Sequence, residues 1–102
     1  MDVITKFISK STVLVRAYVY NEDDALTDPT SITVTIVDPA GTKKVDNAAM
    51  TKHSTGVYDY FYNTAADSVE GNWVGEVTTI DGIGEGAKTT IVPFSFEVKK
   101  GL

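Results

Sequence analysis

Asp28-Pro29-Thr30-Ser31-Ile32-Thr33-Val34-Thr35-Ile36-Val37-Asp38-Pro39-Ala40-Gly41 is the stretch whose reading decides the fold. Ile32, Val34 and Ile36 alternate with Thr33 and Thr35, so one β-branched set faces a core and the other faces solvent. Asp28-Pro29 enters the strand where proline removes no ladder hydrogen bond. Asp38-Pro39-Ala40-Gly41 leaves it through a turn in which proline fixes φ and glycine closes.

Working outward, the same construction recurs. Val3 to Ile8 reads as a short first strand that Ser9-Lys10-Ser11-Thr12 breaks. From Val13 to Tyr20, Val13, Val15, Ala17 and Val19 point one way and Leu14, Arg16, Tyr18 and Tyr20 the other; Arg16 assigns its own set to the wet side. Asn21-Glu22-Asp23-Asp24 is a polar turn under which Leu26 is expected to tuck. Beyond Gly41, Thr42 to Val45 reads as a short strand, Asp46-Asn47 as a turn and Ala48 to Lys52 as a weak strand. In Gly56-Val57-Tyr58-Asp59-Tyr60-Phe61-Tyr62, Asp59 argues that its own face is solvated, which sends the tyrosines inward and leaves Phe61 partly exposed. Asn63 to Glu70 is a polar connection without a proper helix. Trp73, Gly75 and Val77 then alternate against Val74 and Glu76, with Ile80 as the strand's end and Trp73 assigned to the core. Asp81-Gly82-Ile83-Gly84-Glu85-Gly86 reads as a flexible loop, and Val92, Phe94, Phe96 and Val98 form the apolar set of the last strand.

About seven strands with turns every eight to twelve residues predict an all-β chain, an immunoglobulin-like antiparallel β-sandwich. No helical stripe competes, and there is no internal repeat or linker, so residues 1–102 are read as a single domain. A chain of this length buries roughly 65% of its unfolded surface, enough for a core without staples. No cysteine is present, which excludes disulfides and thiolate chemistry. The formal net charge of −5, with basic residues scattered, argues against nucleic acid. No segment has the length of a membrane helix, and Met1-Asp2-Val3-Ile4-Thr5-Lys6 shows no secretory signal, so membrane insertion is not expected.

The succession of polar turn, Asp28-Pro29-Thr30-Ser31-Ile32-Thr33-Val34-Thr35-Ile36, Asp38-Pro39-Ala40-Gly41, Gly56-Val57-Tyr58-Asp59-Tyr60 and Gly71-Asn72-Trp73-Val74 resembles bacterial immunoglobulin-like modules. It is similar to the small immunoglobulin-like proteins of phage and prophage structural clusters and to macroglobulin-type accessory domains of surface proteins. The likeness covers most of residues 11–98 and rests on turn and core residues; the aromatic tyrosine strand and the glycine-rich loop after Ile80 depart from it. The resemblance implies a module for decoration, spacing or binding without catalysis or cofactor, located on a virion or cell surface.

The residues with chemistry are few. Asn21, Glu22, Asp23, Asp24 and Asp28 supply the oxygen donors calcium takes, though not at EF-hand spacing; a solvated turn reads as well. His53, beside Ser54 and near Asp59, has the residue types of a triad without the elbow or oxyanion donor. Gly82, Gly84 and Gly86 precede a strand rather than a helix, so they form a hairpin loop and not a phosphate cradle. Tyr18, Tyr20, Phe61 and Val74 share outward positions where they could stack on sugars or anchor a protein. No catalytic, cofactor or metal residue is therefore assigned. The expectation is a non-enzymatic structural or interaction protein, most specifically a phage-derived virion or assembly component. Its partner would be a capsid, tail or surface protein, or further copies of the chain in a homo-oligomer. The strand at Thr42 to Val45 and the terminal strands are the candidate contact edges. The alternative is an accessory carbohydrate- or calcium-binding module of a secreted surface protein.

Overall fold

The computed structural model describes residues 1–8, 12–64, 70–82 and 84–99. Eight strands run through them: β1 (Asp2–Phe7), β2 (Thr12–Tyr18), β3 (Ser31–Val37), β4 (Lys43–Ala49), β5 (Thr51–Ser54), β6 (Val57–Asn63), β7 (Gly71–Asp81) and β8 (Lys88–Val98). They form two antiparallel four-stranded sheets, ordered β1-β2-β6-β5 and β4-β3-β7-β8, packed face to face as a β-sandwich-like fold. The expected breaks at residues 9–11 and most of the 63–70 connection lie outside the described residues.

The alternation read from sequence places the core. Val13, Val15, Ala17 and Val19 of the first sheet and Ile32, Val34, Ile36, Trp73 and Val77 of the second are buried in one cluster. On the first sheet the β2 valines stand directly opposite tyrosines of β6, Val13 on Tyr62 and Val15 on Tyr60, the aromatic-on-branched pairing that stabilises an antiparallel ladder. Across the gap, the fully buried Trp73 ring meets Tyr62 at 5.7 Å, and within its own sheet it stacks on its ladder partner Phe96 at 5.8 Å. Phe96 also takes Phe7 edge-on at 6.2 Å, so β1 and β8 close one side of the sandwich.

Gly75 explains how this aromatic layer fits. It stands opposite Phe94 in the β7–β8 ladder, and a Cβ there would lie 2.4 Å from the Phe94 ring and 2.5 Å from the Thr35 carbonyl oxygen. The Phe94 ring fills the space that the missing side chain leaves.

Three expectations are corrected. The strands number eight, against about seven expected. Asp46-Asn47 is not a turn: β4 runs through it to Ala49, and two register shifts against β3 absorb the extra residues. Asn47 adopts φ 50°, the left-handed conformation that serves a bulge as readily as a turn. The break falls instead at buried Met50, where the chain leaves the second sheet and enters β5 of the first. Leu26 does not tuck under; it bridges Tyr20 across the loop and stays 42% exposed. The glycine loop falls where expected, shifted by one residue: β7 and β8 pair out to Asp81 and Lys88, and a 3₁₀ turn at Gly84–Gly86 lies between them. Ile83 lies outside the described residues.

The Asp38 turn forms as read. The Gly41 N–H donates to the Asp38 carbonyl at 3.0 Å, and the buried Asp38 carboxylate accepts from the Ala40 and Thr42 N–H groups at 3.0 and 2.9 Å.

Gly75→Ala should destabilise the domain by about 1–3 kcal/mol, since one of the two obstructing groups is backbone that cannot rotate away. Urea unfolding measures this directly; an unchanged midpoint would show that Phe94 can vacate the site at no cost.

Candidate functional site

The outer face of β1-β2-β6-β5 gathers the most varied side chains of the molecule. The ladder sets Arg16 opposite Asp59 and Leu14 opposite Phe61, with Ile4 of β1 beside Arg16. The guanidinium grips the carboxylate with both arms, Nε donating at 2.7 Å and Nη2 at 2.9 Å. This geometry corrects the expectation that Asp59 is solvated. Its residue is only 5% exposed, sealed on the outward face by Arg16, although the tyrosines do point inward as expected. Asp59, through its hydrogen bonds to the guanidinium, in turn raises the Arg16 pKa above its already high value.

His53 stands at the rim with Nδ1 3.7 Å from Asp59 Oδ2, beyond hydrogen-bond reach. Both Asp59 oxygens are occupied by Arg16, so the carboxylate does not orient His53 as a triad would require. Ser54 pairs in the ladder with Val57 at an exposed position. Arg16, Thr51, His53, Asp59 and Phe61 line a shallow groove of about 330 Å³, with the Phe61 ring 55% exposed along it. Tyr18 is half-buried on this face and Tyr20 exposed just beyond it. Val74, expected among these aromatics, belongs to the other sheet. There it lines a second groove, of about 450 Å³, with Val37, Pro93, Lys43 and Glu76.

The acidic segment divides between two roles. The Asn21 carboxamide oxygen accepts from the Asp23 and Ala25 N–H groups at 2.8 and 3.1 Å, a side-chain-closed turn with Asp24 at φ 58°. Glu22 reaches Lys88 of β8 at 3.7 Å. Asp28 faces the other way. It accepts from Lys52 Nζ at 2.6 Å, from the Gly56 N–H at 2.9 Å and from the Tyr58 hydroxyl at 3.2 Å. One carboxylate thus ties the β2–β3 loop to β5, to the β5–β6 turn and to β6. Among the described residues no group of three or more His, Asp or Glu is placed to hold a metal ion. Gly82 and Gly84 adopt positive φ in the hairpin, and the Gly82 N–H donates to Thr30 Oγ1 at 2.9 Å.

Sequence reasoning missed both ion-pair knots. For Arg16–Asp59 the signal was present, since each occupies an outward position, but the register between their strands was needed to join them. For Asp28 the partners lie 24 to 30 residues away and carry no local pattern. No family model, curated protein or solved structure matches this chain.

Two outcomes follow from these knots. Arg16→Met should lower stability more than Arg16→Met combined with Asp59→Leu, because the single change leaves a buried carboxylate without its counter-charge; equal or reversed urea midpoints would mean that solvent reaches Asp59. The Lys52 ammonium, then the Gly56 N–H and the Tyr58 hydroxyl, hold the Asp28 carboxyl below the usual aspartate range. Its stabilisation is therefore complete above the unfolded value of about 3.9 and is lost as pH falls through the lower folded value. Thermal melts across that acid window should show a steeper loss for the wild type than for Asp28→Asn. Parallel curves would remove Asp28 from the acid transition.

Proposed function

We propose that this chain is a non-enzymatic structural or protein-interaction module of immunoglobulin-like topology, and in its most specific form a phage- or prophage-derived virion or assembly component. The strand order supports the topological part. Lettered in chain order, β1-β2-β6-β5 reads A-B-E-D and β4-β3-β7-β8 reads C′-C-F-G, the arrangement of immunoglobulin-like sandwiches. The central tryptophan sits on the seventh strand, not on the third as in antibody domains, so the likeness is one of architecture.

The observation that carries the functional part is the division of labour on the surface. The carboxylates with the most elaborate surroundings, Asp59, Asp28 and Asp38, are consumed in ties between strands and turns. The outer faces also leave large apolar side chains exposed, Ile4, Phe61, Val74 and Ile91. Such a surface suits contact with another protein better than it suits turnover of a small molecule. Its partner would be a capsid, tail or surface protein. A second reading, an accessory carbohydrate-binding module, is favoured by the exposed Phe61 ring flanked by the hydrogen-bonding groups of Arg16, Asp59 and Thr51.

The virion reading predicts that washed, gradient-purified particles from a lysate of the source strain contain the chain at a fixed ratio to the major particle protein, by mass spectrometry. Absence from such particles sinks it. A glycan array in which the wild type binds and Phe61→Ala does not would transfer the assignment to the second reading.

A further inference from the structure

Two sheets leave four edge strands, β1, β5, β4 and β8, and each edge is an unpaired row of backbone donors and acceptors unless something blocks it. Three of them carry a block. β4 has two register shifts and the adjacent lysines Lys43 and Lys44. β5 is four residues long with a register shift of its own. β8 holds Pro93 at its middle. β1 has neither proline nor shift: six consecutive residues, Asp2 to Phe7, pair with β2 in unbroken register. It also exposes Ile4 at 47% and Phe7 at 42%.

The direction of its free backbone groups can be derived. The Ile8 N–H donates to the Thr12 carbonyl at 3.0 Å, extending the ladder by one position. Alternation along an antiparallel strand then turns the N–H and C=O of Asp2, Ile4 and Lys6 toward β2, and those of Val3, Thr5 and Phe7 toward the open edge. The Thr5 hydroxyl donates to the Ser95 carbonyl of β8 at 3.1 Å, so the side chain is held and the Thr5 backbone groups are left for an incoming strand. Asp2 and Lys6 stand on the outer face on either side of Ile4, and neither is in an ion pair among the described residues.

We infer that β1 is a self-pairing edge, which joins β1 of a second copy of this chain antiparallel about a two-fold axis at Ile4. In that register Val3 and Thr5 exchange backbone hydrogen bonds with Thr5 and Val3 of the second copy, as the outward groups require. Ile4 packs on Ile4, and each Asp2 faces a Lys6. The charge complementarity is what selects a second copy as the occupant: the strand is its own complement when reversed. The two β1-β2-β6-β5 sheets become one continuous sheet. The contact is small, so the dimer is weak and depends on concentration. This inference rests on the reading of the chain as an assembly module and names one of its contacts.

The test is light scattering coupled to size-exclusion chromatography on the isolated full chain over a concentration series, with circular dichroism as the folding control. The wild type should shift from 11.0 kDa toward twice that mass. Lys6→Asp puts two carboxylates opposite each other at both ends of the pairing and should raise the dissociation constant by about tenfold. Combining it with Asp2→Lys reverses both charges and should restore the dimer. Val3→Pro removes an edge-facing N–H without touching the β2 ladder and should leave a folded monomer. A wild type that stays monomeric throughout overturns the pairing, and does so without touching the virion reading if the chain is still found in washed particles. A dimer unmoved by Lys6→Asp and Val3→Pro but lost in Phe61→Ser overturns it too, placing the contact on the sheet face. A double charge swap that stays monomeric overturns the register.

Discussion

Trp73 is the interaction on which the rest of this structure depends. A ring of its size buries on the order of 200 Å², and at about 25 cal/mol per Å² this corresponds to roughly 5 kcal/mol, comparable to the whole net stability of a small domain. That contribution is realised only if the first sheet stands at the separation at which Tyr62 meets the ring, while Phe96 stacks on it from the neighbouring strand of its own sheet. The spacing constrains its neighbours in turn. Two residues along β7, Gly75 must be glycine for Phe94 to lie flat in the same layer, 6.5 Å from Phe96 and nearly parallel to it. Phe7 then reaches Phe96 from β1, so the aromatic layer also fixes the strand closing that side.

The charges do a different task. A buried ion pair seldom contributes more stability than apolar residues of the same volume, because desolvating both ions offsets most of their attraction. Arg16–Asp59 is better understood through register. A slip of one residue between β2 and β6 would turn Asp59 from the outer face into the layer occupied by Tyr60, Tyr62 and Trp73, with no guanidinium to meet it. The pair penalises that alternative heavily while adding little to the correct one. Asp28 acts similarly on the long β2–β3 connection, which the bridge between Tyr20 and Leu26 and the turn closed by Asn21 also hold.

What could be read from the sequence follows the range of the forces involved. Alternation is local, so the buried sets Val13 to Val19, Ile32 to Ile36 and Phe94 to Val98 were legible, as were the Asp38 turn and the core position of Trp73. The 43–54 segment was not. Asn47 carries the same left-handed preference in a bulge as in a turn, and the change of sheet at Met50 has no glycine or proline to mark it. Asp59 was misjudged because a lone carboxylate in a strand implies solvent, unless its cross-strand neighbour is known. That neighbour, 43 residues earlier, is a matter of pairing and not of composition. The surface site was legible only as separate residues, since an outer face exists only once strands are placed side by side.

The edges show how such a surface chooses among contacts. An outward lysine on an edge strand ordinarily repels an incoming strand, and Lys6 is such a lysine. Its effect depends on what lies opposite. Sliding two reversed β1 strands by four residues from the Ile4-centred register brings Lys6 against Lys6 in one direction and Asp2 against Asp2 in the other, so like charges meet on both sides of a single favourable alignment. A foreign strand without this reversed pattern leaves one or both charges unmatched. The same two residues therefore admit one alignment of one sequence and disfavour its neighbours, a selectivity that an uncharged edge of equal hydrophobicity would lack.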